Sequence, residues 1–144
     1  MRFWDSSALV PLLVAESTSA WATAAFETDP DVIAWWASLV ECTSALARLE
    51  RDGLLTSASL TEAVRRLASL RDAWAEVQPT DRVRSTALRL LRTHPLRAGD
   101  ALQLAAAIAA AEDHPASLPF VALDERLAQA AEREGFVVVH PGRD

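Results

Sequence analysis

The chain has 144 residues, of which 51% are hydrophobic and 24% are charged, as in ordinary globular proteins. This length and composition predict a single domain over residues 1–144, and they exclude a mainly disordered or collagen-like chain. The lone Cys42 excludes an internal disulfide, and no apolar run reaches the length of about 18 residues that a membrane-spanning helix needs. We therefore expect a cytoplasmic protein with no membrane partner.

The charges are unevenly distributed along the chain. The net charge is −6, which argues against a protein that simply coats nucleic acid, and all 14 basic residues are arginine. Residues 65–97 hold eight arginines and three acidic residues, whereas the rest of the chain holds six arginines and 17 acidic residues. This asymmetry indicates an acidic site beside a basic rim. The alternative is that these arginines form the solvated faces of helices.

The first half of the chain reads as short strands followed by helices. The segment Asp5-Ser6-Ser7 is a helix-opening sequence, and Asp52-Gly53 is a helix-ending one. In chain order we predict strand 2–5, helices 8–15 and 17–27, strand 32–35 and helix 37–51.

The second half continues the alternation. Pro79 separates two long amphipathic helices, and the almost uniformly apolar composition of the next helix predicts that it is deeply buried. In chain order we predict helices 59–77, 80–93 and 98–112, strand 120–123, helix 124–134 and strand 136–139.

Helices between short apolar strands predict a fold of class α/β. The expected architecture is a three-layer α/β/α domain with a short, mainly parallel sheet of about four strands and a helical protrusion. Ligands of such folds bind beyond the carboxyl ends of the strands. The residues that follow each strand are therefore the first candidates for a functional site.

Four acidic residues occupy these positions. Asp5 and Asp124 follow strands, while Glu41 and Asp100 lie near the starts of helices whose other residues look buried. Each has a plain structural alternative: Asp5 and Asp124 as helix caps, Asp100 as a first-turn acid, and Glu41 as a solvated residue. Together they indicate more, because several carboxylates in one crevice repel each other unless a cation neutralises them. Oxygen ligands without cysteine or histidine suit Mg²⁺ or Mn²⁺.

The segments around these acids resemble those of the PIN-domain nucleases and, among them, the VapC toxins of bacterial toxin–antitoxin pairs. The resemblance runs the whole length of the chain, in order. It is carried by Asp5-Ser6-Ser7-Ala8-Leu9-Val10, the isolated Glu41, the segment from Arg97-Ala98-Gly99-Asp100 to Ala105, and the segment from Leu123-Asp124-Glu125-Arg126 to Ala131.

The resemblance implies a metal-dependent endoribonuclease whose site is the quartet Asp5, Glu41, Asp100 and Asp124. Asp5 and Asp100 are then the main ligands of Mg²⁺ (Mn²⁺ being possible), and Glu41 and Asp124 hold a second ion or ordered waters. A metal-activated water attacks the RNA phosphodiester, so no histidine base is needed. The three histidines, His94, His114 and His140, are interpreted as loop residues.

Two further residues are assigned supporting roles. Ser7 matches the family's small hydroxyl residue near the first aspartate, and we expect it to hydrogen-bond within the site. Arg97 is a candidate for contacting phosphate or balancing the acids, with a helix-edge surface arginine as the alternative. The arginines of residues 65–97 are expected to rim the crevice and contact phosphates.

The resemblance also implies partners: a second copy of the chain in a homodimer, and a VapB-like antitoxin that covers apolar grooves and inhibits the enzyme. Trp35 and Trp36 support an interface, because adjacent side chains of an extended segment point to opposite faces. The alternatives are a catalytically weak PIN-like module for RNA binding or assembly, and a PIN nuclease that is not a toxin.

Overall fold

The structure is a computed structural model that describes residues 1–143. Its strands are β1 (Arg2–Trp4), β2 (Val32–Trp35), β3 (Ala75–Val77), β4 (Phe120–Val121) and β5 (Val138–Val139). Its α-helices are α1 (Ser6–Leu13), α2 (Ser19–Thr28), α3 (Ser38–Arg51), α4 (Ser57–Ala73), α5 (Asp81–Thr93), α6 (Ala98–Ala110) and α7 (Glu125–Arg133). A single 3₁₀ turn, Pro115–Ser117, precedes β4. No helix within this range is long and apolar enough to cross a membrane.

The strands form one parallel sheet in the order β3-β2-β1-β4-β5. The central strand β1 pairs with β2 and β4, so that Phe3 lies beside Ile33 on one side and Phe120 on the other. The sheet has five strands, whereas about four were predicted. The additional one is β3, which the sequence analysis assigned to the end of helix 59–77.

The helix that was predicted over residues 59–77 ends four residues early. Its C-cap, Trp74, is 7% exposed and has extended backbone angles, and the next three residues pair with the free edge of β2. A segment as short as 75–77 shows no alternation of its own, so pairing with β2 decides its conformation. The two long helices, α4 and α5, are consequently separated by a strand and do not pack as a pair.

Helices cover both faces of the sheet, as the three-layer prediction requires. One apolar cluster lies between the sheet and α1–α4, and the other lies between the sheet and α5–α7. Within β1, Phe3 belongs to one cluster and Trp4 to the other, because successive side chains point to opposite faces. The α/β class and three-layer architecture are confirmed.

The carboxyl edge of the sheet is where β1 and β4 lead into helices. Asp5 caps α1, with its side chain accepting a hydrogen bond from the Ser7 backbone N–H, and Asp124 caps α7 in the same way through Leu127. Since β1 and β4 are parallel neighbours, both capping aspartates lie at the same edge. The fold therefore assigns each a structural role while placing both where a ligand site is expected.

Candidate active site

Asp5 is the most deeply buried acid of the site, with 2% of its surface exposed. Its Oδ2 accepts hydrogen bonds from the Ser7 backbone N–H at 3.1 Å and from the Ser7 hydroxyl. Burial raises the pKa of Asp5 to about 7; the Ser7 hydrogen bonds oppose this shift, and the charges of Glu41 and Asp100 add to it. Asp5 is thus a carboxyl group that the protein alone does not stabilise in its ionised form.

Ser7 connects Asp5 to the neighbouring strand. Besides donating to Asp5, its Oγ accepts a hydrogen bond from the Leu123 backbone N–H at 3.0 Å. That contact ties the start of α1 to the segment directly after β4. Ser7 therefore hydrogen-bonds within the acidic cluster and fixes the distance between the two strand ends.

Glu41 lies in the first turn of α3 and is held by donors from two other helices. Its Oε2 accepts from the Ser6 hydroxyl of α1 at 2.7 Å and from the Gln103 side-chain amide of α6 at 3.3 Å. The sequence analysis missed both donors. A signal for Gln103 was present, because it is the only polar residue between Ala101 and Ala111.

Asp100 is partly buried in the first turn of α6. Burial raises its pKa, the negative charges of Asp124 and Glu41 raise it further, and the positive charge of Arg97 lowers it. The four predicted acids therefore lie close enough to act on one another electrostatically. Asp124, the fourth, is exposed and caps α7 with its Oδ1 2.8 Å from the Leu127 backbone nitrogen.

A cavity of about 400 Å³ opens beside the exposed half of the cluster. Asp100 and Asp124 line it together with two arginines, Arg97 and Arg126. Within residues 1–143 neither arginine forms an ion pair with a carboxylate. Arg126 was not among the predicted site residues, although it lies two positions after Asp124.

The basic rim predicted from residues 65–97 is wrong for most of its arginines. Five of the eight form ion pairs with carboxylates outside the acidic cluster: Arg65 and Arg66 with Glu62, Arg82 with Asp113, Arg84 with Asp81, and Arg89 with Glu134. Arg97 is the member of this segment whose charge acts on Asp100 and which lines the cavity. Clustering along the sequence did not predict clustering in space, because α4 and α5 lie on opposite faces of the sheet.

Neither His94 nor Cys42 supplies a base or a nucleophile to the acidic cluster. His94 is in a loop, as predicted, but it is 6% exposed and its Nε2 lies 2.7 Å from Glu134. Burial and the neighbouring charges of Asp5 and Glu41 raise the pKa of the Cys42 thiol to about 12, which excludes a thiolate nucleophile at neutral pH.

The donor set of the cluster consists of carboxylate oxygens, which fits a hard divalent cation. Across the described residues, no three histidine, cysteine or acidic side chains come together tightly enough to enclose a metal ion by themselves. Mg²⁺ does not need such an enclosure, because it keeps several waters and binds proteins through one or two carboxylates. Burial, with the neighbouring carboxylates adding to it, raises the pKa of Asp5 and of Asp100, and a bound cation would favour their ionised forms.

Comparison with known proteins places this arrangement in a family. The profile of the PIN domain matches residues 2–133, which is most of the chain. The chain belongs to the PIN-domain family. Ribonuclease VapC45 and ribonuclease VapC49 of Mycobacterium tuberculosis are each 32% identical to this PIN domain over 136 residues, covering 92% of the chain and 90% of each relative.

Solved structures show the same PIN fold at lower identity. VapC20 of Mycobacterium tuberculosis, described as a Sarcin-Ricin loop cleaving toxin, aligns over 98% of this PIN domain and 100% of its own chain with a TM-score of 0.72 and 19% identity. FitAcB of Neisseria gonorrhoeae aligns over 100% of both chains with a TM-score of 0.67 and 17% identity. The resemblance that the sequence motifs indicated is confirmed.

Proposed function

We propose that this PIN domain is a metal-dependent endoribonuclease that acts as a VapC-type toxin. The observation that carries the proposal is the buried Asp5, whose raised pKa reflects burial and the charges of Glu41 and Asp100. A carboxyl group with a raised pKa at the carboxyl edge of a parallel sheet is a candidate functional residue, and a bound cation would stabilise its ionised form. The names of the 32%-identical relatives, both ribonucleases, support RNA as the substrate.

In this proposal Asp5 and Asp100 hold Mg²⁺ or Mn²⁺, and Glu41 and Asp124 hold a second ion or ordered waters. A bound ion of this kind supplies a water of lowered pKa next to the scissile phosphate. Ser7 keeps the Asp5 carboxylate in place through its hydrogen bonds. Arg97 and Arg126 contact the phosphates of the RNA from the adjacent cavity, where guanidinium groups suit phosphate oxygens.

Cleavage of RNA by the purified chain tests the proposal. We expect cleavage with Mg²⁺ or Mn²⁺, and its loss on adding a chelator. Asp5→Asn and Asp100→Asn should each lower the cleavage rate by more than about 100-fold, because even groups that only orient metal ligands are worth 10- to 100-fold. Far-UV circular dichroism of both variants should match that of the unmodified protein.

Asp31→Asn is the matched control. It makes the same substitution at an exposed residue directly before β2, at the opposite edge of the sheet, and should leave cleavage unchanged. Cleavage that persists in chelator, or in both Asp5→Asn and Asp100→Asn, would contradict the assignment. Metal-dependent RNA binding without any cleavage would favour the RNA-binding or assembly module instead.

The partners we propose are an inhibitory VapB-like antitoxin and a second copy of this chain. An apolar groove of about 610 Å³ runs between α1, α2 and α4 and is lined by Leu12, Phe26 and Leu70. An extended antitoxin segment could bury side chains there and place an arginine among the acids, where its guanidinium would substitute for the charge of a metal ion. Trp36, which is 49% exposed while Trp35 is buried, supports the dimer as an uncovered aromatic surface.

Co-purification and sedimentation test these partners. We expect the free chain to sediment as a dimer at micromolar concentration, and we expect the product of the neighbouring gene to suppress RNA cleavage. Leu70→Glu should weaken that suppression without changing cleavage by the free chain, since it places a charge in the groove. A monomer that the neighbouring product does not inhibit would leave a PIN nuclease that is not a toxin.

A further inference from the structure

Gln103 is a fully buried residue of α6 and the only polar side chain that this helix carries after Asp100. Its Nε2 donates two hydrogen bonds, one to the Ser38 hydroxyl at 3.1 Å and one to Glu41 Oε2 at 3.3 Å. Its own Oε1 is buried and has no hydrogen-bond partner among the described residues. A buried acceptor without a donor is unfavourable, so core packing does not explain why a glutamine occupies this position.

The contact with Glu41 explains the orientation of the Gln103 amide. A carboxylate can only accept hydrogen bonds, so the amide must present its nitrogen to Glu41 and leave its oxygen without a donor. The second contact, in which the Ser38 hydroxyl of α3 accepts from the same nitrogen, is compatible with that orientation. Gln103 therefore donates to a carboxylate of the acidic cluster while its own carbonyl oxygen stays without a hydrogen bond.

Ser6, at the start of α1, donates to the same oxygen of Glu41. The hydrogen bonds of Ser6 and Gln103 both end at Oε2, whereas no described residue donates to Oε1 of Glu41. One carboxylate oxygen is thus held by two helices, α1 and α6, which also carry or adjoin Asp5 and Asp100. The other oxygen has no donor of this kind, and the two hydrogen bonds to the first restrict how the carboxylate group can turn.

We propose that Gln103 and Ser6 form a clamp that orients Glu41 toward the cation of the acidic cluster, with Gln103 as a positioning residue. This inference rests on the proposed metal-dependent function. It assigns to Gln103 the role that partners behind a metal ligand commonly have, which is to lower the freedom of the carboxylate before the ion binds.

Binding of Mn²⁺, followed by the paramagnetic resonance signal of the free ion, tests the clamp without using RNA cleavage. Gln103→Met keeps the volume and removes the donor, and it should raise the dissociation constant for Mn²⁺ roughly 10-fold. Ser6→Ala, at a partly exposed position, should raise it in the same direction. The double variant should lose more than either single variant, because Glu41 Oε2 then has neither donor.

Thermal unfolding in chelator separates positioning from folding. We expect Gln103→Met to melt within a few degrees of the unmodified protein, since it removes an unpartnered buried oxygen as well as two hydrogen bonds. Gln129→Met is the matched control: Gln129 also donates to a glutamate, Glu125, but on the exposed face of α7, and it should change neither the melting temperature nor Mn²⁺ binding. If Gln103→Met unfolds, Ser6→Ala still tests the clamp.

The outcomes distinguish the clamp from the proposed function. Unchanged Mn²⁺ affinity in folded Gln103→Met, or in Ser6→Ala if the first variant does not fold, would overturn the clamp alone. Failure of the unmodified protein to bind Mn²⁺, or equal binding by Asp5→Asn, would overturn the proposed function and the clamp together. Weakened binding in both clamp variants, with Gln129→Met unaffected, is the result that the proposal requires.

Discussion

Two regions of this PIN domain each hold a largely buried carboxyl group, and the pKa of the two groups is shifted in opposite directions. At the carboxyl edge of the sheet, Asp5 is buried beside two other carboxylates, and its pKa is raised to about 7. Where α5 and α7 meet, Glu134 accepts hydrogen bonds from Arg89 at 2.7 Å and lies 2.7 Å from His94 Nε2. Those partners hold the pKa of Glu134 below its ordinary value, with Arg89 contributing most.

The difference shows how the same chemical group serves stability in one place and function in another. Glu134 finds a positive partner, Arg89, within the chain, so its charge is balanced when the protein folds. Asp5 accepts hydrogen bonds from Ser7 but is surrounded by negative charges, so in the proposed function its charge is balanced from outside the chain. A divalent cation or the guanidinium of a partner protein would supply the balancing charge.

Removal of the Asp5 charge should have the largest effect on stability. In chelator at pH 8, Asp5→Asn should raise the free energy of unfolding by on the order of 3 kcal/mol, because one pKa unit corresponds to about 1.4 kcal/mol. Asparagine still caps a helix, so the first turn of α1 is retained. Denaturant unfolding of both proteins in chelator measures the difference.

The pH dependence of that difference has a definite sign. The folded-state pKa of Asp5, about 7, lies above its ordinary value of 3.8, so the folded protein retains a proton that the unfolded chain has released. The contribution of Asp5 to stability is therefore fully present below about pH 4 and is lost as the pH rises through 7. The gap between Asp5→Asn and the unmodified protein should close at acid pH; an Asp5→Asn variant that is less stable than the unmodified protein at pH 8 would show instead that the ionised Asp5 stabilises the fold.

Glu134→Gln should shift stability in the other direction by a smaller amount. Loss of the charged partner of Arg89 and His94 should lower the free energy of unfolding by about 1–2 kcal/mol at pH 7. Since the folded-state pKa of Glu134 is lowered, its contribution is present above the unfolded value of 4.5 and is lost as the pH falls through the folded value. Unfolding curves at pH 7 and at about pH 3 measure this, with Asp31→Asn as the surface control.

A stabilising effect of Glu134→Gln at pH 7 would contradict the contrast between Glu134 and Asp5, because the cost of burying Glu134 would then exceed the gain from its pairing with Arg89.

Added Mn²⁺ should also distinguish the two carboxyl groups. The ion should raise the melting temperature of Glu134→Gln as much as that of the unmodified protein, and it should raise that of Asp5→Asn much less.

The smallest expected effect is a difference in RNA binding between the arginines of the cavity, Arg97 and Arg126, and the paired Arg89. Arg97→Gln and Arg126→Gln remove guanidinium groups that line the cavity without a carboxylate partner, so each should raise KM for RNA and reduce the salt dependence of binding by about one unit of slope. Arg89→Gln is the matched control, since Arg89 is paired with Glu134, and it should change stability alone. If RNA binding has the same salt dependence in all three variants, the RNA does not contact Arg97 and Arg126 in this cavity.

Sequence reasoning predicted the parts of this protein that depend on local chemistry. Alternating apolar strands and amphipathic helices predicted the three-layer fold, and the position of Asp5 and Asp124 after strands placed them at one edge of a parallel sheet. Pairing between distant segments was harder to predict. β3 forms because residues 75–77 meet the free edge of β2, and nothing within those residues distinguishes them from the end of a helix.

The same division applies to the candidate site. The acids Asp5, Glu41, Asp100 and Asp124 could be predicted as site residues from the sequence, because several carboxyl groups near strand ends repel each other unless a ligand neutralises them. Only the tertiary structure decided which groups face them: Gln103 meets Glu41 across 62 residues of chain, and most arginines of residues 65–97 turn to other carboxylates. Local sequence determines which charges exist and on which elements they lie. The packing of helices on both sides of the sheet determines which of these charges have a partner within the chain.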